Sequence, residues 1–135
     1  MLSLDQALVD AAVQFARERY PEGEALVAAV RTDTGRVLTS VPAEARLSMA
    51  SLCAETGAIC EAHKLNERVV ASVCVYRDST SSSPRVVPAC GVCQERLAFW
   101  GLEVQVAVPS EVPGQLWQAK SLEQLRPYYW GKFHE

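Results

Sequence analysis

No apolar run in the sequence approaches the roughly 18 residues that a membrane-spanning helix needs, so no such helix is expected. The first 20 residues set Asp, Glu and Arg among the apolar ones and do not read as a secretory leader. Basic clusters are missing too, because the 13 Lys and Arg are dispersed along a chain of formal charge −3. That leaves no electrostatic footprint for tracking a nucleic-acid backbone, and a small-molecule substrate is expected instead. Histidine is scarce: His63 lies inside an expected helix and His134 in the tail, so neither is placed to complete a metal site. No repeat or linker composition is evident, and 135 residues, 49% of them apolar, suit a single domain, 1–135, around one buried core.

Cysteine is present in an informative number. Five thiols are an odd count for a disulfide framework, and without an export signal they are expected in a reducing cytoplasm, where clustered cysteines more often bind metal or do chemistry.

Leu4, Ala7, Leu8, Ala11, Ala12, Phe15 and Ala16 recur at helical spacing behind Ser3, a suitable N-cap, and the Tyr20-Pro21-Glu22-Gly23 stretch should stop that helix. Ala25 to Arg31 reads as a strand, Asp33-Thr34-Gly35 as a turn, and Arg36 to Val41 as a hairpin partner near one side of a sheet. After a mixed stretch, Leu52 to Asn66 reads as a helix with Ala58, Ile59, Ala62 and Leu65 on one face. Val69 to Tyr76, almost wholly apolar and β-branched, is expected as a central strand covered on both faces. A serine-rich loop and Pro84 to Pro88 lead to a second helix from about Gly91 to Trp100, ended by Gly101. Glu103 to Val108 alternates as a strand, Gln115 to Ala119 reads as a last one, and Ser121 with Gln124 matches a capping box. This order predicts an α/β fold, a three-layer α/β/α sandwich with a mixed central sheet of about five strands.

Cys90-Gly91-Val92-Cys93 at a helix start can place both sulfurs on one zinc ion, since the first turn brings them to the same side. Cys53, also at an expected helix start, is the candidate third ligand; the two helices would then aim their positive dipole ends at a cluster whose three thiolates outweigh Zn²⁺. Three ligands leave the fourth position to water, as in catalytic sites. Glu55 follows Cys53 by two residues. On a regular helix such residues diverge by roughly 160°, so both can face one pocket only at a helix start.

Other readings of these residues are weaker. A thioredoxin-like redox pair accounts for Cys-x-x-Cys but not for a third cysteine followed by a glutamate. A closed structural zinc site, in a non-enzymatic binding or assembly domain, needs a fourth ligand that the sequence does not offer. Cys60, taken on the inner side of its helix, and Cys74 in the apolar strand read as core residues.

Cys53-Ala54-Glu55 and Cys90-Gly91-Val92-Cys93, together with the order of elements, resemble the cytidine deaminase superfamily, and within it the small branch of cytidine and blasticidin S deaminases in which three cysteines hold zinc. The resemblance implies that the metal acidifies a water that attacks the amine-bearing carbon of a pyrimidine-like ring. It also implies that Glu55 carries protons to the ring nitrogen and the leaving ammonia, and that the Ala54 N–H binds a ring carbonyl. It further implies a homotetramer or homodimer, and the aromatic tail Leu125-Arg126-Pro127-Tyr128-Tyr129-Trp130 is similar to the segment that helps cover the active site in these enzymes.

Several positions depart from the family pattern. Where cytidine deaminases carry Gly-x-Asn-x-Glu to hold ribose hydroxyls, this chain has Ser40-Val41-Pro42-Ala43-Glu44, which keeps the carboxylate of Glu44 but replaces the amide with Pro42. Glu24 falls at about the position of a substrate-stacking Phe. Cytidine is therefore expected to be a poor substrate, and a compound with a cationic or donor-rich group a better one. Thr56 and Gln94 stand where arginines are usual beside the thiolates, leaving Arg96 as the nearest compensating cation, and Ala89 replaces the usual Pro before Cys90.

Overall fold

Alternation along the strands decides how the layers stack. The computed structural model describes residues 4–133, in the order α1 (Gln6–Arg19), β1 (Ala25–Thr32), β2 (Val37–Ser40), α2 (Thr56–Leu65), β3 (Val69–Arg77), β4 (Arg85–Val87), α3 (Gly91–Leu97), β5 (Gln105–Pro109), β6 (Trp117–Ser121) and α4 (Leu122–Leu125). The sheet runs β2-β1-β3-β5-β6, with β4 pairing β3 beyond that path. Among the described residues only β3 and β5 are parallel, and the other pairs are antiparallel.

Ala25, Val27 and Ala29 of β1 and Ala71, Val73 and Val75 of β3 face α1, where they pack with Leu8, Val9, Ala12 and Ala16. Val30, Val106 and Val108 face the other way, onto Ala58, Ile59 and Ala62 of α2 and Cys93 and Leu97 of α3. The two faces give the expected three layers, and β3, flanked on both sides, is the central strand.

Four differences from the sequence reading have physical causes. The sheet has six strands: Arg85–Val87 is too short to show periodicity between its flanking prolines, and pairing with Cys74, Val75 and Tyr76 makes it a strand. The stripe of α1 is rotated, with Val9 buried and Ala7 exposed, because the sheet covers the Leu8 and Val9 side. Helix α2 starts at Thr56 instead of Leu52, since Leu52 bridges to Ala43. Counted from that later start, Cys60 points outward and is exposed, while Cys74 is buried as expected.

Ser3 lies outside the described residues, and Asp5 caps α1: its Oδ1 accepts from Leu8 N at 3.1 Å and from Arg31 Nη1 of β1 at 2.9 Å. The Arg31 guanidinium holds the Asp5 carboxyl below the usual range. A carboxyl whose folded value is lowered stabilises the fold at neutral pH, and that contribution is lost as pH falls through the lowered value. Replacing Asp5 with Ala should cost about 1 kcal/mol of stability, measured by urea unfolding at pH 7, and the difference from the parent should shrink in strong acid.

Candidate active site and metal centre

The segment carrying Cys53 and Glu55 is held in place by β2. The Ala43–Leu52 bridge returns the chain to the sheet after the loop from Glu44 to Ser51, and Cys53-Ala54-Glu55 follows as a turn, with Thr56 N donating to Cys53 O at 3.1 Å. Ser40 Oγ of β2 donates to Ala54 O at 2.5 Å, fixing the Ala54–Glu55 peptide. Gly57 is needed for this approach, because a Cβ there would lie 2.9 Å from Ser40 Cβ. Both Cys53 and Glu55 precede the first helical residue, so the roughly 160° divergence of a regular helix does not separate them. On the other side, Cys90 is the N-cap residue of α3 in extended conformation, and Gln94 Nε2 donates to Ala89 O at 2.9 Å, bracing the loop that carries it.

The two starts converge. Cys53 Sγ and Cys90 Sγ lie 3.1 Å apart, and the sulfurs of Cys53, Cys90 and Cys93 all fall within 4.8 Å of one another. A tetrahedral zinc ion with Zn–S bonds of about 2.3 Å would set its sulfurs about 3.8 Å apart, inside that spread. The donor set therefore fits a soft divalent ion. Cys90 ionises most readily of the three: burial works against it, but hydrogen bonds from Cys53 and from the backbone at Cys93 hold its thiol below the ordinary value. Its neighbour Cys53 is pushed up by that shared hydrogen bond and by burial, and Cys93 is pushed up by burial and by the charge of Glu55.

Glu55 is only 3% exposed. Burial pushes its carboxyl up, against hydrogen bonds from its own backbone and the Cys93 thiol and against the charge of Arg96. A glutamate raised in this way is a better proton acceptor near neutral pH than a solvated one. Beneath it, Ala54 packs with Ala28 and Cys74, and Leu26 and Val87 complete that small cluster.

Leu26 also lines a cavity of about 510 Å³, with Glu24, Pro42, Glu44 and Tyr76 on its wall. Substrate candidates from the sequence are thus divided between the turn (Ala54) and this adjoining cavity (Glu44). Tyr76 was legible only as a strand residue, yet its hydroxyl donates to Glu24, and that bond raises the phenol to about 12. Buried Arg77 donates to Tyr20 O at 2.7 Å and Gly23 O at 2.8 Å, anchoring the turn that delivers Glu24. A larger cavity, about 740 Å³, lies on the α1 face among Val13, Val75 and Trp117; the three cysteines line neither cavity, and the smaller one meets the site through Leu26, which packs against the cluster of Ala28, Ala54 and Cys74.

No protein-family model matches the chain. A blasticidin-S deaminase from Bacillus cereus is 30% identical over 128 residues, spanning 91% of this chain and 89% of that protein. The chain belongs to the cytidine and blasticidin S deaminase family. Among solved structures, the cytidine deaminase from Bacillus anthracis superposes with a TM-score of 0.88 at 40% identity, covering 96% of this chain and 91% of that one. The cytidine deaminase from Mycobacterium tuberculosis superposes at 0.69 with 27% identity, over 93% of this chain and 96% of that one. The family is one of zinc-dependent deaminases, and the Cys53, Cys90 and Cys93 cluster fits its three-cysteine zinc site.

Because the Gly57–Ser40 approach sets where the family's Cys-Ala-Glu turn stands, Gly57→Ala should destabilise the protein by about 1 to 3 kcal/mol. Thermal unfolding of the variant checks this, and an unchanged midpoint would show that α2 can move off β2 freely.

Proposed function

We propose that this protein is a zinc-dependent hydrolytic deaminase that exchanges the ring amine of an aminopyrimidine nucleoside or related compound for oxygen and releases ammonia, with cytidine a poor substrate. The carrying observation is the convergence of three sulfurs beside a buried glutamate that is not one of them. Cys53, Cys90 and Cys93 would hold the ion, which when bound supplies the Lewis acidity that makes water a nucleophile at neutral pH.

The remaining work falls to the chain. Glu55, raised by burial, takes a proton from water, passes it to the ring nitrogen, and delivers the second to the departing amine, so one water enters and one ammonia leaves. The Ala54 N–H binds the ring carbonyl from a peptide segment braced by Ser40. The far part of the substrate occupies the cavity at Glu44 and Glu24. Pro42 on its wall offers no amide for a ribose hydroxyl, whereas the two carboxylates suit a cationic or donor-rich substituent. The chain works as one cytoplasmic unit, 1–135, assembled as a homotetramer or homodimer; the exposed rings of Tyr128, Trp130 and Phe133 support an assembly in which the tail packs on a neighbour. His134 lies outside the described residues.

Screening aminopyrimidines and nucleoside antibiotics for ammonia release tests the activity. Glu55→Gln should keep about one zinc per chain while turnover falls at least 10²-fold to 10⁴-fold, and Cys90→Ala should lose the metal, both read by metal analysis alongside the assay. Full turnover in Glu55→Gln would remove that residue from the mechanism.

Substrate choice is tested by comparing kcat/KM for cytidine and deoxycytidine with that for amine- or guanidine-bearing cytosine derivatives. The missing amide at Pro42 should cost cytidine about 1 to 3 kcal/mol, roughly 5-fold to 150-fold. Equal turnover of cytidine and the cationic compounds would overturn this reading of the cavity.

A further inference from the structure

The three cysteine sulfurs and Glu55 gather groups of negative charge at one place, with Cys93 and Glu55 buried, and the structure shows which side chain answers it. We infer that Arg96 is a positioning residue of the metal centre: from one turn beyond Cys93 on α3 it donates to the Cys93 sulfur and balances the charge of the three-cysteine cluster, braced by Thr56 at the start of α2. This rests on the proposed metal site.

Arg96 Nη1 lies 3.8 Å from Cys93 Sγ and donates to Thr56 Oγ1 at 2.9 Å. Residues three apart on a helix share a face, so Arg96 is directed toward the sulfur by the same turn that buries Cys93. Among the described residues, none of the ion pairs within 4.0 Å engages Arg96, although the chain's arginines commonly find carboxylates: Arg31, Arg36, Arg68, Arg85 and Arg126 all do. It contacts Cys93, and its charge acts on Glu55, working against the rise that burial imposes on that carboxyl. Thr56 is 8% exposed, and its short side chain leaves room for the guanidinium while its hydroxyl gives that fork a second fixed point.

Three thiolates around one divalent ion carry a net charge of about −1, and an ionised Glu55 adds another. A donor on one thiolate delocalises part of that charge and holds the sulfur's lone pairs toward the ion, the usual effect of a hydrogen bond behind a metal ligand. Arg96 joins the two helix starts at the point where their cysteines meet, so it also fixes the position of α3 against α2.

The test uses metal-free protein reloaded with Zn²⁺, in chelator competition, or with Co²⁺, whose thiolate-to-metal absorption reports the sulfur directly. Arg96→Gln should weaken Zn²⁺ binding about 10-fold to 100-fold and move the thiolate-to-Co²⁺ band to lower energy. Arg96→Lys should recover part of the affinity through charge, and Thr56→Val should show a smaller loss in the same direction. Unchanged affinity and an unchanged band in Arg96→Gln would overturn the inference. So would weaker binding with the band unmoved and a lower melting temperature of the metal-free variant, which marks a packing role only. Failure of the parent protein itself to take up Zn²⁺ or Co²⁺ would defeat the metal site and this inference with it.

Discussion

The starts of α2 and α3 meet over one face of β1 and β3, and every feature of the site depends on that meeting. Each start alone presents ordinary thiols, Cys53 just ahead of a turn, Cys90 at an N-cap and Cys93 in the first turn of α3. Brought together by the apolar packing of Ala58, Ile59, Cys93 and Leu97 on the sheet, they place three sulfurs within 4.8 Å. The hydrophobic layer supplies most of the free energy that holds these polar groups close, since without an ion the thiols offer only a weak S–H···S contact between Cys53 and Cys90.

Burial of the same layer sets the chemistry. It pushes Glu55 and Cys93 up and leaves Cys90, at the exposed mouth, the readiest thiolate. A cluster with one accessible thiol, one buried thiol and a buried carboxyl is graded from solvent inward. The guanidinium of half-buried Arg96 meets it at Cys93, the buried member of the three thiols.

The adjoining cavity follows a different logic. Its wall comes from the end of α1, the first residues of β1, the loop after β2 and the end of β3, segments far apart in the chain. Buried Arg77, bonded to backbone carbonyls, keeps the turn before Glu24 in place, and Tyr76 orients the carboxylate. The sulfur cluster and this cavity thus share the sheet but not their supports, so the residues that hold the three cysteines together are not the ones that shape the cavity wall.

Most of the fold was legible because the elements are long enough to show a period. The apolar run of β3 and the Ser121–Gln124 capping box stand as expected, the latter with both of its hydrogen bonds present, and the α2 stripe holds at Ala58, Ile59 and Ala62, whereas Leu65, in the last turn, is exposed. The convergence of Cys53, Cys90 and Cys93 was legible for a chemical reason: Cys-x-x-Cys and Cys-x-Glu at helix starts have few other uses. What the sequence could not decide was whatever depended on a partner segment. Arg85–Val87 is a strand only because β3 lies beside it, and Val9 is buried only because the sheet approaches α1 from that side. Asp5 caps α1 where Arg31 reaches it, Cys60 turned outward once the Leu52 bridge delayed α2, and Tyr76 met Glu24 across 52 residues of chain. Local periodicity and ligand chemistry are properties of neighbouring residues and were determined by the sequence alone. Register, helix start and cross-strand pairing are settled by packing between distant segments, and only the tertiary structure decided them.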